Sequence, residues 1–167
     1  MTKKIFVLLF AIAFVAIFQI DSYAAEYAGP DTSPDGLQLS YFSVRGAQEP
    51  ARVGDNVKVS YKLKNVTQRT IVLDSRYGAF VGARWNSTTD ANNRDFGYQY
   101  KGKKLNPNEE ININAQFKFT AAGTYRFWPA YSIGGKWGPF RWHEIVVEVV
   151  ASGTPGGPPT KPPTKGK

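Results

Sequence analysis

The chain has no cysteine and a single histidine, His143, among its 167 residues. Without cysteine there is neither a disulfide nor a thiolate metal site, so an exported chain of this composition must draw its stability from its core. One histidine leaves a Ser-His-Asp triad or a two-histidine metal site without partners. The carboxylates do not compensate. Glu109 and Glu110 lie beside a turn, Glu144 and Glu148 fall on the wet face of a strand, and Asp90 and Asp95 belong to a loop, all as solvated groups rather than a glycosidase pair. Asp31, Asp35 and Asp90 lack the spacing of a calcium loop. No catalytic residue, metal or cofactor is therefore assigned, and the chain reads as a non-enzyme. Beyond the first 24 residues no window holds a 3.6-residue apolar period, which argues against helices.

The two ends of the chain are compositionally distinct from its middle. Lys3 and Lys4 precede an uncharged apolar run from Ile5 to Ile20, followed by the small residues Ser22, Ala24 and Ala25. That order predicts a secretory signal peptide over 1–24, cleaved after Ala24, with an uncleaved amino-terminal anchor as the alternative. No membrane span is expected in the mature form, which is predicted to be secreted or associated with the cell surface. Residues 25–34 read as a linker. The last segment, 151–167, has no large apolar side chain and is rich in proline, glycine and lysine. It is predicted to be a disordered tail, with a cationic tether to an anionic surface as the sharper reading.

Charge narrows the partners. The formal charge of +8 falls to +7 once Lys3, Lys4 and Asp21 are removed, and three of those charges sit on Lys161, Lys165 and Lys167. About +4 on the folded part is a mild bias and not the dense stripe of a nucleic-acid binder.

Residues 35–150 carry the folded domain. Val57, Val59, Tyr61 and Leu63 alternate with Lys58, Ser60, Lys62 and Lys64, and Ile111, Ile113, Ala115 and Phe117 alternate with Asn112, Asn114 and Gln116. Each pattern predicts a strand with one wet face in an antiparallel sheet. Leu37–Val44 forms a further strand whose phase slips at Phe42, the mark of a bulge. Segments 71–73, 77–85, 96–100, 124–128 and 142–150 supply the others. Seven or eight short strands separated by Gly, Pro and Asn turns predict an all-β, single immunoglobulin-like antiparallel β-sandwich.

Ala122-Gly-Thr-Tyr-Arg-Phe127 resembles a tyrosine corner, with Phe127 where such domains carry the inter-sheet cysteine. Together with Leu105-Asn-Pro-Asn-Glu-Glu110 ahead of another strand, the segment resembles the CARDB and related bacterial and archaeal cell-adhesion modules. The resemblance implies a surface role in adhesion, ligand display or spacing, and it is a resemblance of fold.

Four tryptophans, nine tyrosines and eleven phenylalanines exceed what one core can hold. With Tyr125 and Phe127 inward, Arg126 and Trp128 point outward. Inward Ile145, Val147 and Val149 put Trp142 outward on the last strand and leave His143 hydrogen-bonded at the sandwich end. Inward Tyr77, Ala79 and Val81 add Phe80 and Arg84 to the same outer surface. The result is an expected ligand-binding shelf of Trp128, Trp142 and Phe80 rimmed by Arg126 and Arg84, with Trp137 on the adjoining glycine-rich loop. The competing reading is that Pro129 breaks the strand phase and turns Trp128 into the core. A shelf of this kind predicts binding of cell-surface polysaccharide or protein, with self-association into a surface layer or filament as the alternative. Asn65-Val-Thr and Asn86-Ser-Thr match the glycosylation acceptor pattern.

Overall fold

The computed structural model describes residues 22–89 and 93–153, so the predicted leader up to residue 21, Asp90 and most of the predicted tail lie outside the described residues. The expected all-β class holds. Among the described residues twelve strands fall into two main sheets and a small ribbon. Among the described residues no helix is long and apolar enough to cross a membrane.

The first sheet has the order β1 (Ser22–Thr32), β2 (Leu37–Gln48), β4 (Asn56–Asn65), β9 (Glu110–Lys118), all antiparallel. The second runs β3 (Ala51–Arg52), β12 (Ile145–Val150), β10 (Gly123–Ile133), β6 (Ala79–Trp85), β7 (Phe96–Gln99), with β11 (Lys136–Pro139) also paired to β10. Among the described residues only the β3–β12 pair is parallel. The ribbon joins β5 (Ile71–Val72) to β8 (Lys104–Leu105). Residues 25–34, expected as a linker, instead carry most of β1, which pairs along β2. The last strand begins at Ile145 rather than at residue 142, because Arg141–His143 form a 3-10 turn.

The core lies between the two main sheets, and the alternating residues supply it. Val57, Val59, Tyr61 and Leu63 of β4 and Ile111, Ile113 and Ala115 of β9 meet Ala79, Val81 and Ala83 of β6, Tyr125 and Phe127 of β10, and Val147 and Val149 of β12. The slip expected at Phe42 is present as a register shift between Leu39 and Phe42, after which Phe42 and Val44 both reach the core. Buried Phe127 packs edge-on against Phe117, with ring centroids 5.3 Å apart, and Phe119 packs on Tyr125 at 4.8 Å. These rings fill the inter-sheet gap in a chain that has no cysteine. The Tyr125 hydroxyl donates to the Ala121 carbonyl at 3.0 Å and accepts from the Ala121 amide at 3.2 Å, tying the turn before β10 to the strand itself.

A buried hydroxyl links the sheets. Tyr61 on β4 crosses the core and places its phenol oxygen 2.6 Å from the Phe80 carbonyl on β6 and 2.8 Å from the Ala130 carbonyl on β10. Burial pushes its phenol far above the ordinary tyrosine range, so it stays protonated as the donor to both. Pro129 does not disturb the phase. Its carbonyl accepts from the Phe140 amide at 2.9 Å, on the flank of β10 where pairing passes from β12 to β11. The missing N–H of the proline faces that same junction, so no ladder bond is lost.

The glycosylation pattern at Asn65 has a structural role. Its side chain is buried, its amide donates to the carbonyls of Arg69 at 2.8 Å and Leu105 at 2.9 Å, and its oxygen accepts from the Thr67 amide and hydroxyl. Asn86 is exposed, and its side-chain oxygen accepts from the Thr124 amide at 2.8 Å. Replacing Tyr61 by phenylalanine keeps the ring and removes the donor, leaving two buried carbonyls without it. A loss of about 1–3 kcal/mol in denaturant unfolding is expected; an unchanged midpoint would mean that the tie contributes nothing.

Candidate functional site

The outer face of the second sheet carries a small apolar cluster of its own, built from Phe80, Trp128 and Ala130 with Tyr77 packed against it. Strand phase in β6 and β10 is therefore as the sequence implies, but Tyr77, expected inward with Ala79 and Val81, lies ahead of β6 and packs on this outer cluster instead. Exposure is not as implied. Trp128, expected as part of an open shelf, is 2% exposed. Its cross-strand neighbour on β6 is Gly82, and a Cβ on that glycine would lie 2.1 Å from the Trp128 indole nitrogen, so the ring occupies space that only glycine leaves. The Arg84 guanidinium covers the ring at 4.8 Å from its centroid, a cation–π contact. Arg84 is itself buried and donates to Asn93 Oδ1 at 2.8 Å and to the Thr88 carbonyl at 2.6 Å. Trp128 and Arg84 thus form a stacked structural pair rather than a ligand surface. Arg126 is engaged as well, in an ion pair with Glu144.

Trp142 is 59% exposed, as expected, but stands elsewhere. On the 3-10 turn its indole N–H donates to the Asp31 carboxylate, which also bonds His143 Nε2 at 2.9 Å, while Tyr27 stacks on the His143 ring at 3.5 Å. The group fastens β1 to the end of the second sheet. These bonds hold the Asp31 carboxyl below the ordinary carboxylate range, the His143 bond first and the Trp142 bond second. Trp142 makes ring contacts with Phe140 and His143 and joins neither Trp128 nor Phe80.

The exposed aromatic surface forms around Phe80 instead. Phe80 is fully buried because Tyr98 of β7 and Trp137 of β11 lie over it, at centroid distances of 5.1 and 4.8 Å. Tyr77 closes the group at 5.3 Å from Trp137 and 6.0 Å from Tyr98. Trp137 remains 45% and Tyr98 37% exposed. The Arg76 guanidinium sits 5.0 Å over Tyr77 and the Lys101 amine 5.7 Å over Tyr98, so cations rim the platform. Among the described residues the Tyr77 and Tyr98 hydroxyls and the Trp137 indole N–H have no hydrogen-bond partner. Burial is the first cause, and Asp95 the second, of a Tyr98 phenol raised above its ordinary value.

Backbone chemistry places these rings. The Gly134-Gly135 tip has positive φ at both residues, 57° and 77°, as a type I′ hairpin requires, and it returns the chain so that Trp137 stands directly opposite Ser132. Asp74 fixes the tip. One of its carboxylate oxygens accepts from the amides of Arg76 at 2.7 Å and Tyr77 at 3.2 Å, and the other accepts from Gly135 at 3.1 Å. Its own amide donates to the Ser132 carbonyl, and its carbonyl accepts from Gly78 and Gly102. One residue therefore joins the turn bearing Tyr77, the turn following Tyr98 and the hairpin bearing Trp137. The Asp74 carboxyl is held below its ordinary range, the Arg76 amide being the largest cause.

Of the residues predicted to bind ligand, the structure brings Phe80 and Trp137 together, buries Trp128 and Arg84 as a pair, and sets Arg126 and Trp142 apart. Tyr77, Tyr98 and Asp74 were not among them. The Gly134-Gly135 hairpin signal and the turn-forming Asp74-Ser-Arg-Tyr were present in the sequence. No family model matches the chain, and no curated protein matches it at a significant level.

Replacement of Asp74 by alanine is expected to leave the β-sheet spectrum intact while opening Trp137 to acrylamide quenching, and Asp74→Asn, which keeps one acceptor oxygen, should fall between. Because the folded carboxyl is depressed, its contribution is present above the unfolded pKa and disappears as pH falls through the lower folded value. In the native protein quenching should therefore stay constant from neutrality into weak acid and rise only below the ordinary carboxylate range; equal quenching in all three proteins would remove Asp74 from this role.

Proposed function

We propose that the protein is a non-catalytic, extracellular binding module that engages surface polysaccharide through the platform of Trp137, Tyr98 and Tyr77. The observation that carries this reading is the conjunction of two exposed ring faces, a third ring beside them and three polar tips without partners among the described residues. Ring faces stack on the apolar faces of sugars, while hydroxyls and an indole N–H serve the sugar hydroxyls at the rim. A protein ligand is the other occupant such a surface admits, since tryptophan, tyrosine and arginine dominate protein hot spots.

An immunoglobulin-like sandwich is the fold within which we place the platform. The order β2-β4-β9 against β12-β10-β6 supports it, as does the Tyr125 hydroxyl bound to Ala121 four residues upstream. Secretion rests on the leader-like composition of residues 1–24. Cleavage after Ala24 would leave Ala25–Thr32 of β1, including Asp31 and Tyr27, to hold the edge of the first sheet.

The test is binding of the secreted protein to isolated envelope polysaccharide by affinity electrophoresis, with Trp137→Ala, Tyr98→Ala and Trp142→Ala. Loss of a central stacked ring costs about 2 kcal/mol or more, so each platform variant should weaken binding at least about tenfold while Trp142→Ala does not. Binding indifferent to both platform variants would refute the reading. Concentration-dependent polymers that form without ligand and vanish in Trp137→Ala would replace it with a structural subunit of a surface layer or filament.

A further inference from the structure

The first sheet presents its outer face to solvent with a different chemistry. Because β4 and β9 alternate strictly, every residue they do not send into the core stands on this face: Lys58, Ser60, Lys62 and Lys64 beside Gln116, Asn114, Asn112 and Glu110 in direct register. On the other side of β4, Ser43 stands opposite Ser60 and Arg45 opposite Lys58. Two cations directly opposed on neighbouring strands repel each other. Lys118, opposite Asn56, lies one step further along the same face.

Carboxylates offset this only in part. Glu26 pairs with Arg45, and Glu110 pairs with Lys62 at 2.8 Å. Among the described residues Lys58 and Lys118 make no ion pair. The face is also shaped. Ser43 and Ser60 are small and 5% and 8% exposed, so the row they share is low between the long side chains on either side. Two clefts result, of about 380 and 410 Å³, and both are lined by Arg45 and Lys58. The first is lined as well by Glu26, Tyr41 and Asn114, with the buried Ser43 and Ser60 as its low row. The Ser60 hydroxyl donates to Asn114 Oδ1 at 3.0 Å, which turns the amide N–H donors of Asn114 away from Ser60.

We propose that this trough is a second binding site, distinct from the aromatic platform, for an acidic polysaccharide whose sugars carry carboxylates. The chain would lie across the strands, its carboxylates between Arg45 and Lys58 and its hydroxyls on Ser43, Ser60 and Asn114. Glu26 offsets only one of the two opposed cations, so an anion there adds attractions to Lys58 and Arg45, while Ser43, Ser60 and Asn114 supply the neutral donors and acceptors that a sugar ring needs and a simple counter-ion does not.

The experiment titrates the secreted protein with decameric oligogalacturonate, with dextran and a polyphosphate of equal charge as comparison probes. Lys58→Glu places a carboxylate opposite Arg45. It is expected to hold or raise the melting temperature, because the like-charge pair becomes an ion pair, and to lower oligogalacturonate affinity at least tenfold. Ser60→Gln fills the low row without changing charge and is expected to weaken binding as well, whereas Trp137→Ala leaves it unchanged. Dextran should not bind at this face. The proposal is overturned if the wild-type protein does not bind the oligogalacturonate at millimolar concentration, or if Lys58→Glu binds as the wild type does. It is equally overturned if Ser60→Gln is without effect while polyphosphate binds as well as the uronate, since binding would then follow charge alone. Loss of oligogalacturonate binding in Trp137→Ala would assign it to the aromatic platform and remove the second site.

Discussion

A pair of packed sheets with no disulfide depends on what passes between them, and here a buried phenol does so with direction. Tyr61 rises from β4 through the core to the carbonyls of Phe80 and Ala130. Hydrophobic burial alone is non-directional and leaves two sheets free to slide by small amounts. A donor held against two acceptors on adjacent strands is not so free, and its cost of being unmet in an apolar interior is high. Phe42 packs edge-on against the Tyr61 ring at a centroid distance of 6.4 Å, and the rings of Phe117, Phe119, Tyr125 and Phe127 pack on one another in the same core.

The same tie reaches the outer surface. Phe80 and Ala130 are cross-strand partners whose carbonyls meet Tyr61 and whose side chains face away from the main core, beneath Tyr98 and Trp137. Core and platform therefore share two backbone positions. From there outward the control passes to turn chemistry: Asp74 gathers three loops, and Gly134-Gly135 sets the hairpin that carries Trp137. The rings are held by groups that would have no reason to touch them if the surface were only a solvated sheet. On the opposite side of the molecule, the outer face of the first sheet is polar and cationic, so the two faces are chemically different surfaces.

Much of the fold was legible because alternation is a local property. β4 and β9 read directly as strands with one wet face, the slip at Phe42 was visible as a break in phase, and Tyr125 was recognisable by its neighbours. β1 was not legible: its Ala, Gly and Pro residues carry no apolar period, and it is held by backbone pairing to β2 and by Asp31 reaching residues 111 and 112 positions away. The platform was only half legible. Which face Trp128 occupies follows from period two, but whether that face is open depends on Gly82 beneath the ring and Arg84 above it, a cross-strand arrangement no window of sequence contains. Trp142 was misplaced because the chain leaves β11 through a 3-10 turn before β12 begins, which shifts every side chain up to Glu144 out of strand phase.

The proposed binding function requires the exposed rings around Phe80 to be the surface that meets ligand. The most direct measurement is the set of four indole N–H resonances of isotopically labelled protein during titration with soluble fragments of envelope polysaccharide. Trp137 should shift progressively, the signals of Trp128 and Trp142 should stay in place, and the Tyr77 and Tyr98 backbone amides should move with Trp137. Shifts confined to Trp142 and β1, or a Trp137 signal unmoved at saturation, would contradict it.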